Sequence, residues 1–167
     1  MDTVTYPDPE VRAVLEEHFV AVKCNVAEPQ PEYQQLLRMA RPLWTPTFLF
    51  LAPNLAELRR VVGYRPASEF VPELHMALGL VELTQARPAA ALERFSTVAN
   101  RYPQAEAAPE SLYWAGIAAL RRDGGNKQLL VPAWMELRAR YPKSAWWASA
   151  SCIVGTLVPA NVECDCS

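Results

Sequence analysis

Trp44-Thr45-Pro46-Thr47-Phe48-Leu49-Phe50-Leu51 opens a run of apolar, β-preferring residues on a proline. Proline cannot donate to a strand ladder, so within sheets it is confined to strand starts, edges and bulges, and an X-Pro bond can be held cis there. Downstream, Ala52-Pro53-Asn54 is a turn signal, and Leu58 to Tyr64 returns as a second β-rich run through Val61-Val62-Gly63. These runs predict a β-hairpin. Upstream, Glu32 to Arg41 carries Tyr33, Leu36, Leu37 and Ala40 on one face of a short helix that Pro42 ends. Further back, Asp8-Pro9-Glu10 precedes Val11, Val14, Leu15 and His18, which predicts a helix capped by Asp8 with Pro9 at its first position. It leads directly into Phe19-Val20-Ala21-Val22-Lys23-Cys24-Asn25-Val26, long and β-rich enough for a third strand, followed by a loop with two prolines between Ala27 and Pro31.

The chain has 167 residues, enough for one ordinary domain or two small ones, and 51% apolar with 20% charged residues makes it globular. Its apolar runs are strand-sized, far short of the roughly 20 residues of a membrane span. Asp2, Asp8 and Glu10 with Pro7 and Pro9 occupy the place of a signal peptide's basic and apolar regions. A cytoplasmic location without membrane contact is therefore expected. A net charge of −2 and no basic cluster argue against nucleic acid as a partner.

The second half repeats itself. Phe95-x-x-Val98-x-x-Arg101-Tyr102-Pro103 recurs as Trp134-x-x-Leu137-x-x-Arg140-Tyr141-Pro142, an offset of 39 residues that marks helical hairpin arrays. The pattern resembles the tetratricopeptide repeat. In that frame Leu78 and Gly79 take the Leu-Gly positions of a first helix, Ala91 the small position of the second, and Phe95 its aromatic position. In the next unit Trp114-x-Gly116 replaces the Leu-Gly pair, Leu130 replaces Ala, and about five residues are inserted near Ala105 to Pro109 and Asp123 to Asn126. Small residues there let helices approach closely while aromatics fill the groove between them. Ala145 to Ile153 reads as a final helix.

The first half resembles the thioredoxin-like family from its second helix onward, on the strength of Thr5-Tyr6-Pro7-Asp8-Pro9-Glu10-Val11, Phe19-Val20-x-Val22-Lys23, Pro46-Thr47 and Gly63-Tyr64. The resemblance implies an incomplete α/β thioredoxin-like domain over residues 1–78, with three recognisable strands. An all-α tetratricopeptide-like array follows over 68–155, sharing helix 68–85 and rigidly joined to the sheet half, and 156–167 form a flexible tail. It also implies that Pro46 is cis. Near Leu55 the family often has Gly, which touches only the turn type.

In the family a Cys-x-x-Cys precedes this region, after a central strand; this chain has no such motif. Without that strand the runs at 19–26 and 47–51 would stand two strand spacings apart, roughly 9.6 Å. The resemblance leaves three ways out: Met1 is an internal start, the strands close up, or a partner donates the missing strand. The first is preferred. A homodimer through unpaired strand edges is one form of the third.

Among candidate site residues, Pro46 either only shapes the strand start or, as the family uses it, leaves the backbone of Thr45 to pair with an extended substrate, with Trp44 beside it. Trp114 and Trp134 sit at core spacing. Trp146 and Trp147 cannot both face inward on one helix, so this pair supplies a partner contact. His18 and His75 lie at helical positions outside any catalytic signature and take surface or packing roles. Gly124-Gly125 is a turn, not a phosphate loop. Cys24 and Cys152 read as buried structural thiols. Cys164 and Cys166 could close a strained disulfide or hold a soft metal only with further ligands, so the pair reads as polar tail. No catalytic residue, metal or cofactor is expected.

The sequence thus predicts a non-catalytic interaction protein that binds a protein or peptide partner. The alternative is a thiol-disulfide oxidoreductase whose Cys-x-x-Cys lies upstream of a misplaced start, where a helix N-terminus would lower a thiol pKa. As written, the chain is expected to be inactive in dithiol exchange, and Cys24 or Cys164/Cys166 supplying redox chemistry instead is the weakest reading.

Overall fold

The computed structural model describes residues 1–28 and 30–158, and the chain divides into two units, Met1–Val71 and the part from Pro72 on. In the first unit α1 spans Pro9–His18, and it starts where the sequence says it should. The Asp8 carboxylate accepts from the backbone N–H of Glu10 at 2.9 Å and of Val11 at 3.2 Å, and Pro9 occupies the first turn, where its missing N–H costs nothing. A 3-10 turn over Pro31–Tyr33 leads into α2, Gln34–Ala40, which Arg41 ends in a left-handed conformation (φ 41°) before Pro42.

The hairpin follows as β1, Thr47–Leu51, and β2, Glu57–Val62, antiparallel with Phe48 opposite Val61 and Phe50 opposite Arg59. Its turn is closed by Ala52 N–H donating to the Ala56 carbonyl at 2.9 Å, and Leu55 stands there at φ 64°. The unit's core is small. Val11, Phe50, Val61 and Phe70 are buried, with the Phe48 and Phe70 rings 4.8 Å apart. Thr5 is also buried, and its hydroxyl donates to the Arg65 carbonyl at 2.7 Å, which satisfies it.

The expected third strand is a correction. Residues 19–25 join no ladder, the sheet has two strands, and Val20 is 96% exposed. β-Rich composition makes a strand only where a neighbour offers both a ladder and a surface to pack on. Here the run has no ladder among the described residues and is mostly exposed, although the Phe19 ring lies 6.1 Å from that of Phe50. Nor have the two runs closed up against each other, because β1 pairs with β2 alone.

α3 runs from Ala67 to Thr84 as one helix, with Pro72 inside it removing one backbone hydrogen bond. The second unit takes its remainder and adds α4 (Pro88–Arg101), α5 (Ala108–Arg122), α6 (Leu130–Arg140) and α7 (Ala145–Leu157). Gly124 and Gly125, at φ 70° and 94°, make the turn after α5, and a 3-10 turn at Lys127–Leu129 leads into α6. Two clusters fill the unit. One gathers Met76, Leu83, Ala91, Phe95 and Val98, the other Leu112, Leu130, Trp134, Leu137 and Trp147.

The 39-residue repeat has a direct physical counterpart. Phe95 lies against Gly79, so closely that a Cβ there would sit 2.6 Å from the ring Cζ, and Trp134 lies against Gly116, where a Cβ would meet the indole Nε1 at 2.6 Å. The second Arg-Tyr-Pro then fastens onto the first repeat. Arg140 donates to the Ala99 carbonyl near the end of α4, and the Tyr141 hydroxyl donates to the Pro103 carbonyl at 2.6 Å. α7 carries no charged residue, and its outward positions, Ile153 apart, are small: Ala145, Ala148, Ser149, Cys152, Gly155 and Thr156. It runs to Leu157, into the segment expected as tail; the rest of that segment from residue 159 lies outside the described residues.

The fold is therefore a small two-stranded antiparallel sheet with flanking helices, followed by a helical array. None of the described helices is long and apolar enough to cross a membrane.

Candidate functional site

The hairpin and α2 together hold out a short apolar loop. α2 stops at Ala40, whose carbonyl accepts from the Arg60 guanidinium, so the end of the helix is tied to β2. Arg60 is itself gripped by Glu57, Nη2 to Oε2 2.7 Å and Nε to Oε1 2.9 Å. Those hydrogen bonds hold the Glu57 carboxyl below the usual carboxylate range. At the other end of the loop the Thr47 hydroxyl donates to the Trp44 carbonyl at 2.6 Å, and the Thr45–Pro46 bond is cis.

Anchored at both ends, the loop leaves Leu43 95% and Trp44 70% exposed. They line, with Val26, Pro42 and Thr45, a shallow cavity of about 240 Å³. Of the residues that the sequence singles out, Trp44 and Thr45 are thus brought together at the cavity, while Pro46 is half-buried behind them. Leu43 and Val26 were not singled out. A Leu-Trp pair between two prolines is the signal that could have found Leu43; Val26 comes from a segment whose course the local sequence does not determine.

The backbone of β1 adds a second feature. Gly63 N–H donates to the Pro46 carbonyl at 2.8 Å, so that pair is hydrogen-bonded, and alternation along an antiparallel ladder makes Phe48/Val61 and Phe50/Arg59 the next bonded pairs. The N–H and C=O groups of Thr47 and Leu49 then point to the other edge, which no described strand covers. An apolar platform beside an open strand edge can hold extended chain. Every cavity-lining side chain is apolar, aromatic or a hydroxyl, a set suited to binding rather than proton transfer.

The helical unit places its aromatics in one connected group. Tyr113 stacks on Trp134 at 5.1 Å and 12°, and touches Trp146 at 5.2 Å and Trp114 at 5.9 Å; Trp114 in turn stacks on Phe95. The Trp134 indole donates to the Tyr113 carbonyl at 3.0 Å and that of Trp114 to Glu110 at 3.2 Å, so both polar edges are satisfied. The expectation that Trp146 or Trp147 turns outward is resolved by sharing. Trp147 is buried with Arg138 over its ring, and Trp146 is half-buried against Tyr113. A partner could reach Trp146; Trp147 is covered.

His18 closes α1 and His75 is buried in α3, its ring 6.5 Å from that of Tyr102. The buried-thiol reading is corrected for Cys152, which is exposed on α7, and softened for Cys24, which is half-buried; neither is in a disulfide among the described residues. Cys164 and Cys166 lie outside the described residues. Among the described residues no group of three His, Cys, Asp or Glu could hold a metal ion.

Comparison with protein-family models, with curated proteins and with solved structures gave no match. The likeness to thioredoxin-like and tetratricopeptide proteins accordingly rests on the residues quoted above.

Proposed function

We propose that the chain is a protein-interaction module, an incomplete thioredoxin-like scaffold without a redox dithiol in this sequence, carrying a tetratricopeptide-like helical pair. It holds an extended peptide at Trp44, Thr45 and Pro46, and Trp146 offers a second contact on the helical part. The observation that carries this reading is the exposure of Leu43 and Trp44 beside the cavity, on a loop fixed at both ends. Covering the exposed part of one tryptophan recovers about 3 kcal/mol, and a leucine about 2 kcal/mol. Main-chain hydrogen bonds to the β1 edge add register rather than much affinity, and ordering the peptide opposes them all. A weak Kd, about 0.2 mM or above, follows.

The test is binding of the purified chain to arrays of extended decapeptides. Trp44→Ala and Leu43→Ala should each weaken capture about tenfold or more, while Ile153→Ser on α7 leaves it unchanged. Equal capture by all three variants would sink the reading. An added strand could also come from a second copy pairing through the β1 edge. Sedimentation over a hundredfold concentration range separates that homodimer from a monomer that binds peptide. The same proposal places the protein in the cytoplasm and gives the 167-residue chain no insulin-reduction activity; reproducible turnover by the pure chain would refute it.

A further inference from the structure

Resting on that reading of the Leu43–Trp44 loop, we infer that the segment it takes is acidic, with a carboxylate facing Arg38 and Arg41 and an apolar side chain in the cavity. Between Tyr33 and Ala56 the charged residues are these two arginines. Both are exposed, Arg38 on the last turn of α2 and Arg41 directly before the cavity-lining Pro42. Among the described residues Arg38 reaches only the neutral Gln34 side chain, at 3.4 Å, and neither arginine forms an ion pair. By contrast, Arg60 on β2 is neutralised by Glu57.

Two unneutralised cations beside an apolar platform are a choice of partner. They are not needed to finish α2. Its Ala40 carbonyl accepts from the Arg60 guanidinium and its Leu37 carbonyl from the Arg41 backbone N–H, and a helix of seven residues has a weak dipole to offset. Guanidinium groups pair carboxylates in a two-pronged geometry, and exposed pairs of this kind set specificity and on-rate more than total affinity. An anionic membrane is the other surface that arginine and tryptophan would suit. Binding to such surfaces takes clusters of about four to eight basic residues, and this stretch offers two. The open edge of β1 also matches a peptide backbone and has no counterpart in lipid.

The experiment uses the full 167-residue chain and three octapeptides with one Val-Phe-Val-Leu core, flanked by Asp, Asn or Lys. Vesicles of phosphatidylcholine with phosphatidylserine are run in parallel. The Asp peptide should bind about tenfold tighter than the Asn peptide, and the Lys peptide weakest. The advantage should fall below about twofold when salt rises from about 0.05 to 0.5 M. It should also vanish in the double variant Arg38→Gln/Arg41→Asn, chosen because Asn tolerates the left-handed backbone at position 41; circular dichroism checks that it folds. If all three peptides bind equally and only Trp44→Ala weakens them, the charge inference is overturned and the peptide module stands. If none binds, both fall, and sedimentation of the chain with vesicles in a Leu43-dependent way would identify the surface as lipid-binding instead.

Discussion

Gly79 and Gly116 set the helix spacing of the second unit, because each admits an aromatic ring where any side chain would collide. Replacing either by Ala gains up to about 1 kcal/mol of helix propensity but overpacks a closed contact, which typically costs about 1–3 kcal/mol. We expect Gly79→Ala and Gly116→Ala to lower stability by about 1–2 kcal/mol, read from denaturant midpoints; a rise would mean that Phe95 and Trp134 move aside freely. Leu55 should behave in the opposite way. It is 48% exposed at φ 64°, a region that L side chains adopt at a cost, so Leu55→Gly should stabilise by about 0.5–1 kcal/mol in a thermal melt. Both cases were legible in the sequence. The aromatics Phe95 and Trp134 came from the 39-residue offset, the glycines from the tetratricopeptide resemblance, and the unusual residue in the turn from the thioredoxin-like resemblance, which implies Gly near Leu55. What residue types could not show was the exposure of Leu43, since an apolar residue after Pro42 reads equally well as core.

At the scale of elements, local signals sufficed where an element is closed by its own residues. Asp8 and Pro9 start α1, and Ala52 to Asn54 turn β1 into β2. They failed for residues 19–26, because a strand is completed by a neighbour elsewhere in the chain and no stretch of eight residues contains that information. The hairpin carries its own pH dependence. The Glu57 carboxyl is held below the ordinary value by Arg60, so its contribution is present above the usual carboxylate range and is lost as pH falls through the lowered value. Being exposed, the pair contributes modestly and is screened by salt. Glu57→Gln should therefore lower the thermal midpoint slightly at pH 7 and by less at pH 2. An equal shift at both would show that packing, not charge, is responsible. In the array, Tyr141→Phe removes the hydrogen bond to the Pro103 carbonyl and should cost about 1 kcal/mol.

For the whole molecule, composition and repeat period separated a sheet-bearing part from a helical one, and the unit boundary falls within the long helix α3. The surfaces that meet other molecules were less legible. They depend on which apolar residues the finished fold fails to cover, a sum over all packing choices rather than a property of any segment. The bond from Tyr141 to Pro103 and the one from Arg140 to Ala99 have a consequence at this scale. The second repeat seals the seam left open by the first, so the row of helices has a direction, like overlapping roof tiles. Such a row can be lengthened beyond its last tile, but a chain cut before Trp134 would strip the cover from α4 and α5 and expose tiles already laid.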